Sequence, residues 1–428
     1  MPGMEKRNDH LFFDGCDTVE LARIYGTPLY VMSETLIRER LREVRTSFLE
    51  RHRNTFAVYA SKAFQTLEMC RIVESEGLGL DVVSGGELYA AKRAGFPMDK
   101  VFFHGNSKTV DELVMAVELG VGRVVVDNLD ELKTLDGLAR ARGRRVPILF
   151  RLTPGVDSHT HEYVSTGQLD SKFGIPLDPT VRDEYIGAAL AMKGVKLEGF
   201  HFHIGSQLLV RDSHLKAIEI VLGFMCGVKK DYGFEATDLN LGGGFGVRYT
   251  RQDEPESLAG FTDAMVAAVE GGCARFGLAR PRIIIEPGRW IVGEAGITLY
   301  TINSVKEIPG IKNYIGVDGG MPDNPRPALY GARYEAVLAN SIDAESTELY
   351  TVAGKCCETG DILIRDISLP ISEAGDILAV FTTGAYNHSM ASNYNRLPRP
   401  AVVMTAAGRH RLSVRRETFE DLVARELG

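Results

Sequence analysis

Long apolar runs are missing from this sequence. None reaches the roughly 18 residues needed to cross a bilayer, so no membrane-spanning helix is expected. The opening segment MPGMEKRNDHLFFDG has no apolar core of the kind a secretory signal carries, so no such signal is expected either. Cysteine is scarce: six in 428 residues, at Cys16, Cys70, Cys226, Cys273, Cys356 and Cys357. No C-x-x-C occurs, which argues against a zinc knuckle or a thioredoxin-type motif. A long, cysteine-poor chain fits a reducing, cytoplasmic location. Basic runs are also lacking. With 49 basic and 57 acidic residues the net charge is −8, so a nucleic-acid surface is not expected. There is no internal repeat and no low-complexity linker.

What is present is a soluble, core-forming composition, 44% hydrophobic and 25% charged, at a length that suggests two domains. Between about residues 55 and 286, short apolar β-rich runs alternate with helical patterns. The expected strands are Phe56–Ala60, Gly79–Val83, Val101–Phe103, Arg123–Val126, Val146–Leu152, Leu197–His203, Leu239–Leu241 and Arg282–Ile285. The segments between them show helical spacing, as in Met69, Ile72 and Val73, and in KTVDELVMAVELG and LDELKTLDGLARARG. Eight strands alternating with helices predict a (β/α)8 barrel over residues 33–289. An open doubly wound sheet is the competing topology. After Trp290 the runs ITLYTINSVKEI, ELYTVAGKCC, GDILIRDISL and GDILAVFTTGAY read as strands of an all-β domain. That domain is expected to comprise residues 290–428 together with 1–32, TPLYVM supplying an N-terminal strand.

In such a barrel the chemistry gathers at the C-terminal strand ends. Lys62 follows the first strand. Asp81 lies at the end of the second, before Ser84-Gly85-Gly86-Glu87. His104-Gly105-Asn106 follow the third, and Arg151 lies on the fifth. His201, His203 and Ser206 mark the sixth, Gly242-Gly243-Gly244 the seventh, and Glu286-Pro287-Gly288-Arg289 the eighth. A lysine desolvated at a strand end can form a Schiff base with an aldehyde, whereas its bland alternative snorkels to solvent. Three glycines let backbone N–H groups approach a phosphate, or simply make a tight turn. The segment is neither a P-loop nor a dinucleotide fingerprint. Glu286 follows the apolar run RIII and needs a partner. Arg289 could be that partner, or the carboxylate could face a protonated pyridine nitrogen. His201 and His203 share a strand face. They lack a third metal ligand at convincing spacing, so no metal is expected. Cys356 and Cys357 are either buried apolar thiols or include a catalytic thiol, for which Glu358 next door supplies a polar setting.

Together these residues resemble the alanine-racemase-like pyridoxal phosphate (PLP) enzymes, and within them the barrel decarboxylases of basic and diamino acids. The resemblance runs along nearly the whole chain. It rests on YASKA at Lys62, HFHIGSQ ending at Gln207, GGGFG, EPGR at Glu286, RPALY from Arg326 to Tyr330, CETGD at Cys357 and GAY at Tyr386. The stretch DSHTHEYVSTGQLDSKFG is similar to the diamino-acid branch. The resemblance implies decarboxylation of meso-2,6-diaminopimelate to L-lysine and CO2, the last step of lysine biosynthesis. It implies that Lys62 carries PLP, His203 stacks on the ring, and Ser206 with Gly242, Gly243 and Gly244 holds the phosphate. Asp81, Pro287, Gly288, Arg289 and Tyr386 would also line the cofactor. Glu286 would contact the pyridine nitrogen, where racemases of this fold place an arginine. Arg289, Arg326, Tyr330, Glu358 and Tyr386 would bind substrate. Cys357 would donate the proton in the active site of a neighbouring subunit, which implies a homodimer. Lys355 stands where the family usually has proline, and Cys356 makes a double cysteine. VDGGMPDNP also departs from the usual VDAGMN form. The alternatives are a decarboxylase of another basic amino acid or of carboxynorspermidine, and an inactive PLP-binding regulator.

Overall fold

The computed structural model describes residues 2–156 and 171–427. The chain divides into two compact units. One comprises residues 41–246 and 255–290; the other comprises 1–40, 247–254 and 291–428.

The first of these is a closed barrel. Its strands are β1 (Thr55–Ala60), β2 (Gly79–Val82), β3 (Val101–Phe103), β4 (Arg123–Val126), β5 (Val146–Thr153), β6 (Val195–Phe202), β7 (Asp238–Asn240) and β8 (Arg282–Ile285). Each pairs in parallel with the next, and β8 pairs back onto β1 through Ile283 opposite Thr55, which closes the ring. The expected (β/α)8 architecture is therefore present, and the open sheet is excluded. The strands hold because their apolar, often β-branched residues face packed layers on both sides. Val58, Phe102, Val125, Leu149 and Ile284 form one buried layer, none more than 2% exposed. Each such side chain contributes roughly 1.5–3 kcal/mol on burial.

Polar residues at the strand exits begin the helices. Ser84 Oγ accepts from Glu87 N at 3.2 Å to start Gly85–Ala94. Thr109 and Glu112 form a capping box at Val110–Leu119, and Asn128 caps Leu129–Ala141. Such caps contribute on the order of 1 kcal/mol each. The Ser84–Glu87 cluster is thus accounted for locally, since Glu87 Oε2 also accepts from Val83 N at 2.7 Å.

The other unit is β-rich. Its main sheet runs in the order Ile362–Leu369, Glu348–Ala353, Lys312–Val317, Gly296–Ile308, Leu29–Ser33, Ala401–Ala406 and Arg409–Val414. Leu29–Ser33, the TPLYVM strand, lies antiparallel to Gly296–Ile308 and parallel to Ala401–Ala406. It therefore joins the C-terminal strands as expected, burying Leu29 and Val31 against Ile297, Leu299 and Val403. Three short helices, Thr18–Tyr25, Arg326–Tyr330 and Phe419–Val423, accompany its strands. The first follows Asp17, whose carboxylate caps it, a signal present in the sequence.

Candidate active site

The barrel's functional end is built one strand exit at a time. After β1 a single 3-10 turn, Ser61–Ala63, buries Ser61 and Ala63 completely and leaves Lys62 exposed. The expectation of a desolvated lysine is corrected: the turn pins its neighbours and frees its side chain. The Lys62 charge still reaches Asp81, Glu87 and His203.

Asp81, on β2, is 2% exposed. Burial raises its pKa, opposed chiefly by His104, whose Nε2 lies 3.7 Å from Oδ1. His203 falls just past the end of β6 and not within it. Its surroundings push its pKa well down, through burial first and then the Lys62 and Arg151 cations, so the ring is neutral at neutral pH. Arg151 itself is buried and stacks 4.2 Å over the Phe173 ring.

Glu286 follows β8 and is 6% exposed. Its partner is not Arg289. Asn240 Nδ2 donates to Oε1 at 2.6 Å, and His201 Nε2 lies 3.2 Å from Oε2. His104 Nε2 approaches Oε1 at 2.9 Å, though out of line for a hydrogen bond. Burial would raise the pKa of Glu286, but the two imidazoles outweigh it and hold the carboxyl well below its usual value. Glu286 is an anion. Arg289 instead donates to Ser206, Nη2 standing 2.9 Å from Oγ. The ligand atoms of His104, His201 and Glu286 lie within 4.8 Å of one another, so a third partner for a histidine pair does exist. It joins His201 to His104, not to His203. Separations of 2.9 and 3.2 Å across it are those of direct nitrogen–oxygen contacts, with the carboxylate already engaged.

The three-glycine turn after β7 is dictated by close backbone approach. Gly242 (φ +70°) and Gly244 (φ +105°) are left-handed. A Cβ on Gly243 would come 2.0 Å from the Glu286 carbonyl oxygen, and one on Gly244 2.3 Å from that of Gly205. Asn240 Oδ1 accepts from Gly242 N at 3.0 Å, and His214 Nε2 lies 3.0 Å from the Gly243 carbonyl. The N–H groups of Gly243 and Gly244 donate to no acceptor among the described residues. Nor do Ser61 Oγ and Asp81 Oδ1 find a hydrogen-bond partner there. Unfilled donors at one strand exit, a buried anion at another and an exposed amine at a third suit a group carrying a phosphate, a cationic ring and an aldehyde. Pro287 and Gly288 close the seam to β1: Ala60 N donates to the Pro287 carbonyl at 3.2 Å, and Gly288 leaves room for the Ala60 methyl. Asn240 and His214 escaped the sequence reading. A polar residue inside the apolar run of β7 was the available signal, because a buried amide demands partners.

The β-rich unit holds the remaining candidates. Arg326 is 6% exposed. Its Nη1 donates to Tyr334 Oη at 2.5 Å, and its guanidinium lies over Tyr249 at 4.7 Å. Its Nε–H has no acceptor, and no carboxylate pairs with it among the described residues. A buried cation without an anion is costly. Tyr330 closes the same short helix, and Tyr386 (φ +67°) also acts electrostatically on Arg326. Cys357 and Glu358 are exposed, Cys357 N donating to Asn395 Oδ1 at 2.8 Å. Cys356 is half-buried, its thiol pushed up to about 12 by burial and by Asp361. Most of DSHTHEYVSTGQLDSKFG lies outside the described residues.

A barrel with this ring of strand-exit groups, joined in one chain to a β-rich unit, defines a class of protein. Residues 34–293 match the family model described as pyridoxal-dependent decarboxylase, pyridoxal binding domain. The chain is 48% identical over 423 residues to the diaminopimelate decarboxylase of Bacillus subtilis, covering 99% of this chain and 96% of that one. A crystal structure of the diaminopimelate decarboxylase of M. jannaschii in complex with L-lysine superposes with a TM-score of 0.93 at 35% identity, covering 100% and 98% of the two chains. The Helicobacter pylori counterpart, also complexed with L-lysine, gives 0.87 at 30%, covering 95% and 98%. The chain belongs to the pyridoxal-dependent decarboxylases, and within them to the diaminopimelate decarboxylases. A lysine/ornithine decarboxylase from Vibrio vulnificus, at 23% identity and TM-score 0.74 over 90% and 98% of the chains, shares the fold.

Proposed function

We propose that this chain decarboxylates meso-2,6-diaminopimelate to L-lysine and CO2, using pyridoxal 5'-phosphate at the C-terminal end of the barrel. The observation that carries this reading is the buried, anionic Glu286 on a barrel that matches the pyridoxal-binding family. When bound, the cofactor supplies an electron sink for the pair left on the substrate α-carbon as CO2 departs. Lys62 is the amine that would hold its aldehyde. Ser206 and the free N–H groups of Gly243 and Gly244, with Gly242 shaping the turn, would hold its phosphate. His203 would stack on the ring as a neutral imidazole. Asp81, Pro287, Gly288, Arg289 and Tyr386 would line the rest of the pocket. Glu286 holds a proton at the ring nitrogen, which strengthens the sink.

Arg326 supports the choice of substrate. Its guanidinium, with no carboxylate partner among the described residues, suits the distal carboxylate of diaminopimelate, which a simple diamine product lacks. Arg289, Tyr330, Glu358 and Tyr386 complete the substrate contacts, Glu358 pairing the distal ammonium. Cys357 delivers the proton to the α-carbon. In this reading it reaches the site of a neighbouring subunit, so the protein acts as a homodimer, and as a cytoplasmic enzyme. Among the described residues no helix is long and apolar enough to cross a membrane. The test is CO2 release from meso-diaminopimelate beside ornithine, arginine, lysine and carboxynorspermidine. Turnover of ornithine without turnover of diaminopimelate would overturn the substrate.

A further inference from the structure

The mechanism leaves a group of fully buried polar side chains beneath Glu286 without a task. Asn240 and His201 are at most 1% exposed, and His104 is 4%. They come from β7, β6 and the exit of β3, and they converge on one carboxylate. Asn240 takes Oε1 at 2.6 Å and His201 takes Oε2 at 3.2 Å. His104 stands 2.9 Å from Oε1 and packs edge-on against His201, with ring centroids 4.8 Å apart.

A carboxylate offers about four acceptor positions. Asn240 bonds Oε1 and His201 bonds Oε2, while the His104 nitrogen crowds Oε1 at 2.9 Å without hydrogen-bonding it, so among the described residues Oε2 is the oxygen with an uncrowded acceptor position. We propose that His201 and Asn240 are positioning residues, gripping one oxygen each, that aim this remaining Oε2 acceptor at the cofactor's ring nitrogen. The inference rests on the functional reading above.

The charge states fit. Burial lowers the pKa of His201 to about 4, so at neutral pH it is uncharged. Its one proton sits on Nε2, facing Glu286, and Nδ1 has no hydrogen-bond partner among the described residues. Asn240 is neutral by nature. Two uncharged donors fix the carboxylate without cancelling its charge, so the charge remains available to a pyridinium. Asn240 has a second tie: its Oδ1 accepts from Gly242 N at 3.0 Å. One side chain therefore sets the register between the glycine turn and the carboxylate, the two features read as holding the phosphate and the ring nitrogen.

The test uses the holoenzyme loaded with cofactor isotope-labelled at the ring nitrogen, whose NMR shift reports protonation directly. His201→Phe keeps the ring's bulk and removes the donor; His201→Gln keeps a donor. With His201→Phe the signal is expected to move towards neutral pyridine while cofactor remains bound. The fall in kcat should be roughly 10- to 100-fold, the usual loss for an outer-shell partner in metal sites, with KM little changed. His201→Gln should restore both. Should His201→Phe not fold, Asn240→Leu removes the other donor and is read the same way. A cationic wild-type signal that His201→Phe leaves unmoved, with kcat intact, overturns the positioning role alone. A wild-type enzyme that binds no cofactor, or releases no CO2 from diaminopimelate, overturns the functional reading itself.

Discussion

The backbone N–H of Cys356 donates to Asp361 Oδ2 at 2.8 Å, and this contact makes two adjacent thiols different. Asp361 is 2% exposed and its Oδ1 also accepts from Met321 N at 2.7 Å, so it staples the GKCCETGD loop to the VDGGMPDNP loop. Cys356 is turned inward beside that carboxylate, while Cys357 remains exposed.

Cys357→Ala is therefore expected to keep the cofactor's visible absorbance and to lose most steady-state CO2 release, by roughly 100-fold or more, as for removal of a positioned general acid. Cys356→Ala should cost far less than Cys357→Ala. Alkylation followed by mass mapping should label Cys357 first at neutral pH. Preferential labelling of Cys356 would reverse the assignment.

Lys62→Ala should abolish the visible band and turnover together. Borohydride reduction of the wild-type holoenzyme, followed by peptide mapping, should place the adduct on Lys62. An adduct on any other lysine refutes its role.

Arg326→Gln removes the buried cation but keeps a polar side chain. A hydrogen bond to a charged group contributes roughly 2–3 kcal/mol. The kcat/KM for diaminopimelate should fall by roughly 30- to 160-fold at 1.36 kcal/mol per decade. Cofactor binding should be unaffected. An unchanged kcat/KM would place the distal carboxylate elsewhere.

Asp323 predicts a pH dependence of stability. It is 3% exposed, and burial raises its pKa to about 7 despite hydrogen bonds from Tyr300 and from Gly320 N. Its ordinary value is 3.8. Between the two, the folded chain binds the proton and the unfolded chain does not, so this group's contribution to stability falls as pH rises from about 4 to about 7. Above that it levels off. Denaturant midpoints measured across this window should show a smaller decline in Asp323→Asn than in wild type. Parallel slopes would contradict the assignment.

Gly243→Ala should fail to hold the cofactor, because its new methyl would stand 2.0 Å from the Glu286 carbonyl oxygen. Equilibrium titration with pyridoxal phosphate is the measurement, and wild-type affinity would contradict the close approach.

Much of the barrel was legible because its signal is local. Alternating apolar strands and amphipathic helices read directly as the eight-stranded ring, with boundaries off by one or two residues at β1, β2, β5, β6 and β7. In the β-rich unit, Met4–Arg7, His10–Phe13, Cys16–Asp17, Lys312–Val317, Ala336–Leu338, Ala401–Ala406 and Arg409–Val414 were missed. The last is largely exposed, so its sequence carries little apolar signal.

By itself the sequence settled the order of the barrel's strands, the glycines that tight turns require and the placing of Lys62, Glu286 and Cys357 at exits or loops. Those features depend on neighbours a few residues away. Only the tertiary structure decided that Glu286 is held by His201, 85 positions earlier, and Asn240, 46 earlier, and not by Arg289 beside it. Only it left Arg326 without an anion among the described residues and freed Lys62 from burial. Partnership in a barrel is set by which strands become adjacent when the ring closes, and no spacing along the chain encodes that distance.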